Sequence, residues 1–438
     1  MKILELARSI IEKYPLCNHC FGRQFALLLH GITNNDRGIY LKNCLMMEGH
    51  ALFLEKNEKG VELLKVMVRN GNSEYALKIL QNSFIEDIPS FEKCYLCGDK
   101  FNSIGQIAKL MDQKIQNITF SNFLVGTKIP IQIIEREDEL RSRFCVKWGE
   151  TIRNEFSREL GKELSKITQK EVEYKRPELV VMVNPYSEEI TVQINPLFIY
   201  GRYRKLEPNI PQSTLVCSAC GGKGCPKCEG LESSRNRSVE AFIAAPFLRS
   251  TGGNSEKFHA AGREGANTRV LGLGRPFVLE IKNPLRRELN LAEVSDAVRE
   301  ESGGKIEIGD LKYCLKEVVR RLKAQGHPKK TYRLEVLFEN PLSEKDLEQL
   351  EDFVNIDSLK KTEVQISKGE LNKQEKQIYD YKMNRLTKNS IEILVTSAGS
   401  QIIKELIGKK GEVESTLAQY VKNVICEIRL DIVDISWN

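Results

Sequence analysis

Arginine and glycine are interspersed between residues 257 and 283 in a pattern that suits contact with phosphate groups. The stretch reads KFHAAGREGANTRVLGLGRPFVLEIKN and places Arg263, Arg269 and Arg275 among four glycines. Glycine lets a backbone approach a ligand closely, and guanidinium groups bind phosphate through paired hydrogen bonds. The stretch runs into FVLEI, which predicts a buried strand. We therefore expect a nucleic-acid contact surface here, with the three arginines as candidate RNA-binding residues.

Cysteine pairs form the second candidate set. Eight of the twelve cysteines lie in Cys-x-x-Cys pairs, which in a non-secreted chain ligate zinc more often than they form disulfides. The pairs are Cys17 and Cys20, Cys94 and Cys97, Cys217 and Cys220, and Cys225 and Cys228. Tetrahedral zinc needs two pairs, so the first two and the last two pairs each predict one structural zinc site. Unligated core cysteines are the alternative, and His19 is a further possible ligand.

Composition sets the class of protein. The chain has 438 residues, 41% of them hydrophobic, which predicts two to four folded domains. No apolar run is long enough for a membrane helix, and the amino terminus lacks the apolar centre of a signal peptide. We expect a cytoplasmic protein without a membrane partner. The net charge of +6 is modest, so only local patches would bind nucleic acid.

The region 101–210 has the pattern of a small α/β module. Residues 119–137 predict strands, residues 150–168 a long amphipathic helix, and the following segment a hairpin around Asn184 and Pro185. At its end, aromatic and cationic residues alternate in a composition that suits stacking on bases and neutralising phosphates. The candidate RNA-binding residues there are Arg202, Tyr203, Arg204 and Lys205. A solvated strand end is the alternative.

The block FHAAGREGANTRVLGLGRPFVLE resembles the active-site motif of the archaeal THUMP-containing tRNA pseudouridine synthases, which modify uridines 54 and 55 in the T arm of tRNA. The resemblance implies a multidomain α+β protein. It would have an amino-terminal zinc-knuckle domain (1–100), a THUMP-like RNA-binding domain (101–210) and a pseudouridine synthase-like catalytic domain (211–438). The last would contain a mixed, mainly antiparallel sheet flanked by helices, with a four-cysteine insert at 217–228.

The resemblance also implies the partners. We expect tRNA as the partner, structural zinc as the metal, no organic cofactor, no small-molecule substrate and a monomeric state. The family carries two separated amino-terminal knuckles and a cysteine-rich run just after its THUMP domain, which matches the order of the pairs here.

One position departs from the family at the centre of the motif. The family has Gly-Arg-Glu-Asp, in which the Asp is the catalytic nucleophile, whereas this chain has Gly262, Arg263, Glu264 and Gly265. A second Asp, usual two positions later, is Asn267. In an extended segment the adjacent Glu264 would point to the opposite face from position 265, so it is a poor replacement. The family's substrate-contacting tyrosine corresponds by position to Tyr332.

The tail resembles two kinds of RNA-binding element. The synthases have a Gly-x-Tyr-Ile-Lys-Glu motif there, whose tyrosine position is Gln401 or Ile402, depending on the anchor. The loop IGKKGE also resembles the Gly-x-x-Gly loop of KH domains. Both interpretations place RNA-binding residues in this segment, namely Gln401, Lys404, Lys409 and Lys410. The family's arginine-rich segment is not present between residues 343 and 388.

These observations favour a member of the tRNA pseudouridine synthase family that acts on or binds uridines 54 and 55. Because the nucleophile position is Gly265, the sequence leaves open whether the chain is an enzyme. The alternative is a catalytically inactive tRNA-binding protein or tRNA folding helper. An unrelated zinc-dependent RNA-binding adaptor is a third interpretation.

Overall fold

The computed structural model describes residues 3–213, 226, 238–324, 329–354, 378–397 and 421–436. The chain divides into two compact units, Met1–Asn195 and Pro196–Asn438. Each unit has its own hydrophobic core within the described residues. The multidomain α+β class that the sequence predicted is confirmed.

The first unit combines helices with a small sheet. Its helices are α1 (Ile3–Lys13), α2 (Asn18–Gly22), α3 (Asn34–Leu54), α4 (Glu58–Arg69), α5 (Glu74–Asn82), α6 (Ile104–Ile115), α7 (Ile131–Arg143) and α8 (Ile152–Thr168). Its strands are β1 (Asn122–Thr127), β2 (Glu171–Val172), β3 (Leu179–Val183) and β4 (Ile190–Ile194). The sheet order is β2-β1-β3-β4, with β1 parallel to both neighbours and β3 antiparallel to β4. Side chains of Thr33, Ser73 and Thr151 cap helices by accepting backbone N–H bonds.

The second unit is built on a larger sheet. Its strands are β5 (Leu197–Lys205), β6 (Ser255–Ala260), β7 (Arg269–Lys282), β8 (Ile306–Tyr313), β9 (Lys329–Phe338), β10 (Ile378–Thr387), β11 (Ser390–Ser397) and β12 (Ile425–Ser436). Its helices are α9 (Val239–Thr251), α10 (Leu291–Glu301), α11 (Lys316–Ala324) and α12 (Glu344–Val354). The order is β10-β11-β9-β12-β7-β5-β8, and β6 also pairs with β7. Only β12 and β7 run parallel among these described pairs, so the sheet is mixed and mainly antiparallel.

Three local predictions need correction. The apolar run after Pro130 forms α7 rather than a strand, because Ile133, Glu137 and Leu140 recur at helical spacing on its buried face. The segment 305–326 has a pattern that predicts a helix, but residues 306–313 form β8, since Ile306 and Ile308 alternate onto the core. The strand β5, expected to end the THUMP-like module, pairs with β7 and β8 in the larger sheet instead.

Glycines in β7 admit neighbouring strands. A Cβ on Gly272 would lie 1.9 Å from the Val433 carbonyl oxygen, and one on Gly274 would lie 2.6 Å from that of Tyr203. Both glycines also have positive φ, which L side chains rarely adopt. Their role is therefore close packing of β7 against β12 and β5, rather than approach to a phosphate backbone.

Candidate functional site

Glu264 is the anchor of a buried polar cluster in the second unit. Its side chain is fully buried, and its Oε2 lies 2.9 Å from Nε of Arg275. The Tyr203 hydroxyl donates to Oε1 at 2.7 Å, and Gln212 Nε2 donates to Oε2 at 3.0 Å. A carboxylate held by three partners in a buried site is not free to attack a substrate. The position of Glu264 agrees with the expectation that it points away from residue 265.

Arg275 reaches this cluster from β7. It is completely buried, and its Nη1 donates to the Ala261 carbonyl at 2.6 Å. Its Nε is close to Glu264 but not aligned for a hydrogen bond, so that attraction is mainly coulombic. Nη2 has no hydrogen-bond partner among the described residues. The guanidinium group therefore retains an unused buried donor.

Lys205 holds the loop that carries residue 265. The amine at the end of β5 donates to three carbonyl oxygens, those of Ile210 at 2.8 Å, Gly265 at 3.1 Å and Ala266 at 3.0 Å. Burial lowers the pKa of Lys205 to about 8. All three ammonium protons have partners, so this residue fixes the backbone of the loop.

Strand β9 contributes two side chains on its buried face. Tyr332 is 2% exposed, and burial raises the pKa of its hydroxyl to about 12, so it is neutral at physiological pH. Lys330 is 5% exposed, and burial together with Arg275 lowers the pKa of its amine to about 8. Lys205, Arg275 and Lys330 thus outnumber the single carboxylate of Glu264 in the cluster. The excess positive charge favours an anionic or oxygen-rich ligand.

Residue 265 lies at the exposed edge of this cluster. A Cβ there would have one neighbour within 4 Å, Thr268 Oγ1 at 3.3 Å, and the glycine does not have positive φ. An aspartate therefore needs no strained backbone, and Thr268 Oγ1 would shift by a few tenths of an ångström to admit it. Arg263 and Asn267 on the same loop are exposed. The Arg263 side chain makes no hydrogen bond or ion pair with the described residues, so it remains a candidate for contact with phosphate.

Other predicted RNA-binding residues have structural partners. Arg202 donates to the carbonyls of Leu273, Gly274 and Ile435. Arg204 pairs with Glu307 at 2.7 Å, and Arg269 Nε donates to the buried Asp431 at 2.7 Å. Tyr203 and Lys205 are buried. The tail residues Gln401, Lys404, Lys409 and Lys410 lie outside the described residues, and their RNA contacts stay predictions.

Sequence reasoning missed Gln212, Lys330 and Asp431. Gln212 and Asp431 had no motif to mark them. Lys330 had a signal, because it lies two residues before Tyr332 in an alternating strand and therefore shares its face.

Four cysteines form a compact cluster in the first unit. The Sγ atoms of Cys17, Cys20, Cys94 and Cys97 lie within 4.8 Å of one another, and those of Cys17 and Cys97 are 3.6 Å apart. Tetrahedral zinc with Zn–S bonds of about 2.3 Å requires sulfur atoms about 3.8 Å apart. The predicted pairing of the two knuckles is confirmed, and the donor set fits a metal ion.

Residues around the cluster support the thiolates. Arg23 is fully buried, and its Nη1 donates to Cys20 Sγ at 3.3 Å and to Glu155 at 3.1 Å. His19 is not one of the four clustered ligands; its Nδ1 is bonded to Glu155 at 2.8 Å and its ring stacks on Phe101. The second cysteine set, 217–228, lies outside the described residues apart from Pro226.

Comparisons with known proteins identify the family of this chain. A family model described as Pus10, C-terminal matches residues 198–436, which is more than half of the chain. The chain belongs to the Pus10 family. A second model, the archaeal Pus10 THUMP domain, matches residues 107–184, inside the module that the sequence predicted. The predicted limits at 101 and 210 stay predictions.

Relatives match over nearly the whole chain. The tRNA pseudouridine synthase Pus10 of Methanocaldococcus jannaschii is 37% identical over 98% of this chain and 94% of its own length. The tRNA pseudouridine synthase Pus10 of Thermofilum pendens is 32% identical over 99% of this chain and 95% of its own length. A solved archaeal box H/ACA Nop10–Cbf5 complex is 14% identical with a TM-score of 0.24, covering 52% of this chain and 46% of its own, a similarity too low to carry an argument.

These relatives support the synthase interpretation. They do not favour the alternative of an inactive tRNA-binding protein or the unrelated zinc adaptor, because the similarity to Pus10 proteins extends from the knuckles to the last strand. Among the described helices, none is both long and apolar enough to cross a membrane.

Proposed function

We propose that this chain binds the T arm of tRNA and brings uridine 54 or 55 to the loop 262–267, next to the buried side chains of Glu264, Arg275 and Tyr332, as a tRNA pseudouridine synthase does. The buried cation cluster carries the proposal. Arg275, Lys330 and Lys205 exceed the one carboxylate, and the loop 262–267 presents an exposed arginine beside them. A target base must leave its stack to reach such a site.

The proposed chemistry needs a carboxylate at position 265. In the family's reaction the nucleophile attacks the nucleotide while the base detaches from the sugar, rotates and rejoins through carbon. Glu264 is committed to Arg275, Tyr203 and Gln212, and Gly265 has no side chain. The neutral Tyr332 would pack against the base, and the cations would stabilise developing negative charge.

One specific observation supports a second candidate function. Glycine at position 265 supplies no carboxylate, which would suit a protein that binds tRNA with little or no turnover, although the relatives do not favour this alternative. Pseudouridine mapping on tRNA incubated with the natural chain separates the two, since only a synthase leaves the modified base.

Binding itself tests the proposal. We expect an isolated T-arm stem-loop to bind at least about tenfold more tightly than an anticodon-arm stem-loop of equal length, a difference of about 1.4 kcal/mol, because only the former offers the target uridines. Fluorescence anisotropy at a fixed salt concentration gives both dissociation constants. Equal affinities for the two stem-loops would contradict T-arm recognition.

We also propose that the metal is zinc, with one ion at Cys17, Cys20, Cys94 and Cys97 and a second at the 217–228 cysteines. Four thiolates in this spacing match zinc chemistry. Elemental analysis should find two zinc ions per chain, and Cys97→Ala should lose one. Because Cys44 is exposed and outside the cluster, Cys44→Ala is the matched control and should retain both. A natural chain with no zinc would contradict the assignment.

We propose further that the protein acts as a monomer on tRNA in the cytoplasm.

A further inference from the structure

Two buried cations that share one carboxylate converge on the backbone of Gly262. A Cβ on this residue would lie 3.3 Å from Lys330 Nζ and 3.5 Å from Arg275 Nη1. Gly262 has φ of +73°, so glycine is also the residue that this backbone favours. The absent side chain leaves a cradle bounded by an ammonium and a guanidinium group.

The donors at this cradle are incompletely used. The Lys330 amine makes no hydrogen bond or ion pair with the described residues. On Arg275, Nη1 beside Gly262 already donates to the Ala261 carbonyl, whereas Nη2 is buried without a hydrogen-bond partner among the described residues. A buried donor without a hydrogen-bond partner destabilises the folded state, and the cost is larger when the donor is charged. Glu264 neutralises only one of the two positive charges. A ligand that supplies oxygen acceptors and negative charge would remove this cost.

We propose that Lys330 and Arg275 form a subsite that binds a phosphate group flanking the target uridine. The inference deepens the proposed function and rests on it. Phosphate has several acceptor oxygens, so one group can accept from an arginine on β7 and a lysine on β9 together. The subsite would fix the sugar-phosphate backbone while the base leaves its stack.

The two cations lie closer to a Cβ at residue 262 than to one at residue 265. A Cβ at residue 265 would meet only Thr268 Oγ1 within 4 Å, whereas a Cβ at residue 262 would meet both cations. The two nitrogens therefore converge beside Gly262 and not at the nucleophile position.

The test combines a protein variant with a neutral RNA backbone. A T-arm stem-loop is prepared with a methylphosphonate in place of each phosphate flanking the target uridine in turn, and binding is measured with the natural chain and with Lys330→Gln. Lys330→Gln alone should weaken binding by roughly 10-fold to 100-fold. A methylphosphonate at one of the two flanking positions should weaken the binding of the natural chain by roughly the same factor. The two together should weaken it no further, because they remove the same contact.

Lys329→Gln is the matched control. Lys329 is the neighbouring residue on β9, and its amine lies over the Tyr379 ring, 4.4 Å from the centroid, so the variant removes the same charge outside the cradle. The loss of affinity that Lys329→Gln causes should add to the loss that the methylphosphonate causes, because the two changes remove different contacts. Lys330→Arg should retain most of the affinity, and circular dichroism confirms that each variant folds.

If the losses of affinity from Lys330→Gln and from methylphosphonate were additive at both positions, the phosphate subsite would be wrong. The proposal of T-arm binding would still stand. Unchanged affinity for both methylphosphonate RNAs would overturn it without any protein variant. Failure of the proposed function has a different signature, since the natural chain would then show no preference for the unmodified T-arm stem-loop.

Discussion

Replacing Gly265 with aspartate should raise the rate of pseudouridine formation in unmodified tRNA by at least about 10³-fold over the natural chain. Loss of a catalytic nucleophile commonly costs several orders of magnitude, and restoring it should recover a large part of that loss. The residue fits because Gly265 is exposed, lacks positive φ and would have only Thr268 within 4 Å of an added Cβ. Single-turnover assays followed by base mapping measure the effect at positions 54 and 55.

Gly265→Asn is the control for this gain. Asparagine has nearly the shape of aspartate but no nucleophilic carboxylate, so it should stay at the level of the natural chain. If the natural chain forms pseudouridine as fast as the Gly265→Asp variant, another acid is the nucleophile. If Gly265→Asp is inactive although it binds the T arm, position 265 does not face the reacting sugar.

Glu264→Gln should destabilise the second unit by about 3–5 kcal/mol, the usual cost of removing one partner from a buried ion pair. Glutamine keeps the size of the side chain but leaves the buried Arg275 without its counter-charge, near Lys330 and Lys205. Denaturant unfolding, followed by a probe in the second unit, measures the loss. RNA binding should weaken as well, because the loop 262–266 loses its anchor.

Glu307→Gln provides the comparison for this variant. Glu307 pairs with Arg204, whose side chain is 51% exposed, and such surface pairs contribute about 0–1 kcal/mol. The difference between the two variants isolates the contribution of burial. Equal losses would show that Glu264 is not the anchor of the cluster.

Those parts of the site that depend on short spacing could be predicted from the sequence. Two Cys-x-x-Cys pairs identified the cluster around Cys17 and Cys97, because a thiolate pair on a tight turn is a local feature. Residues 329–338 alternate between polar and apolar types, which predicts the strand that the structure shows as β9. The expectation that Glu264 points away from position 265 rested on an extended backbone, and it agrees with the burial of the Glu264 side chain.

Features that depend on distant pairing could not be predicted. No local pattern indicated that β5 joins β7 and β8, so Lys205 and Tyr203 looked like surface residues, whereas they are buried beneath the loop. Gly272 looked like a point of approach for a ligand, but it admits the backbone of β12. Partners such as Gln212 come from elsewhere in the chain, and only the folded structure brings them to Glu264.

Binding of a T-arm uridine at the loop 262–267, beside Glu264 and Arg275, is the central claim. Photocrosslinking of a T-arm stem-loop with 4-thiouridine at position 54 or 55, followed by mass spectrometry of the linked peptides, tests it most directly. We predict crosslinks to the loop 262–267 or to Tyr332, which Lys330→Gln weakens and Lys329→Gln does not. Crosslinks confined to peptides of the first unit would contradict it.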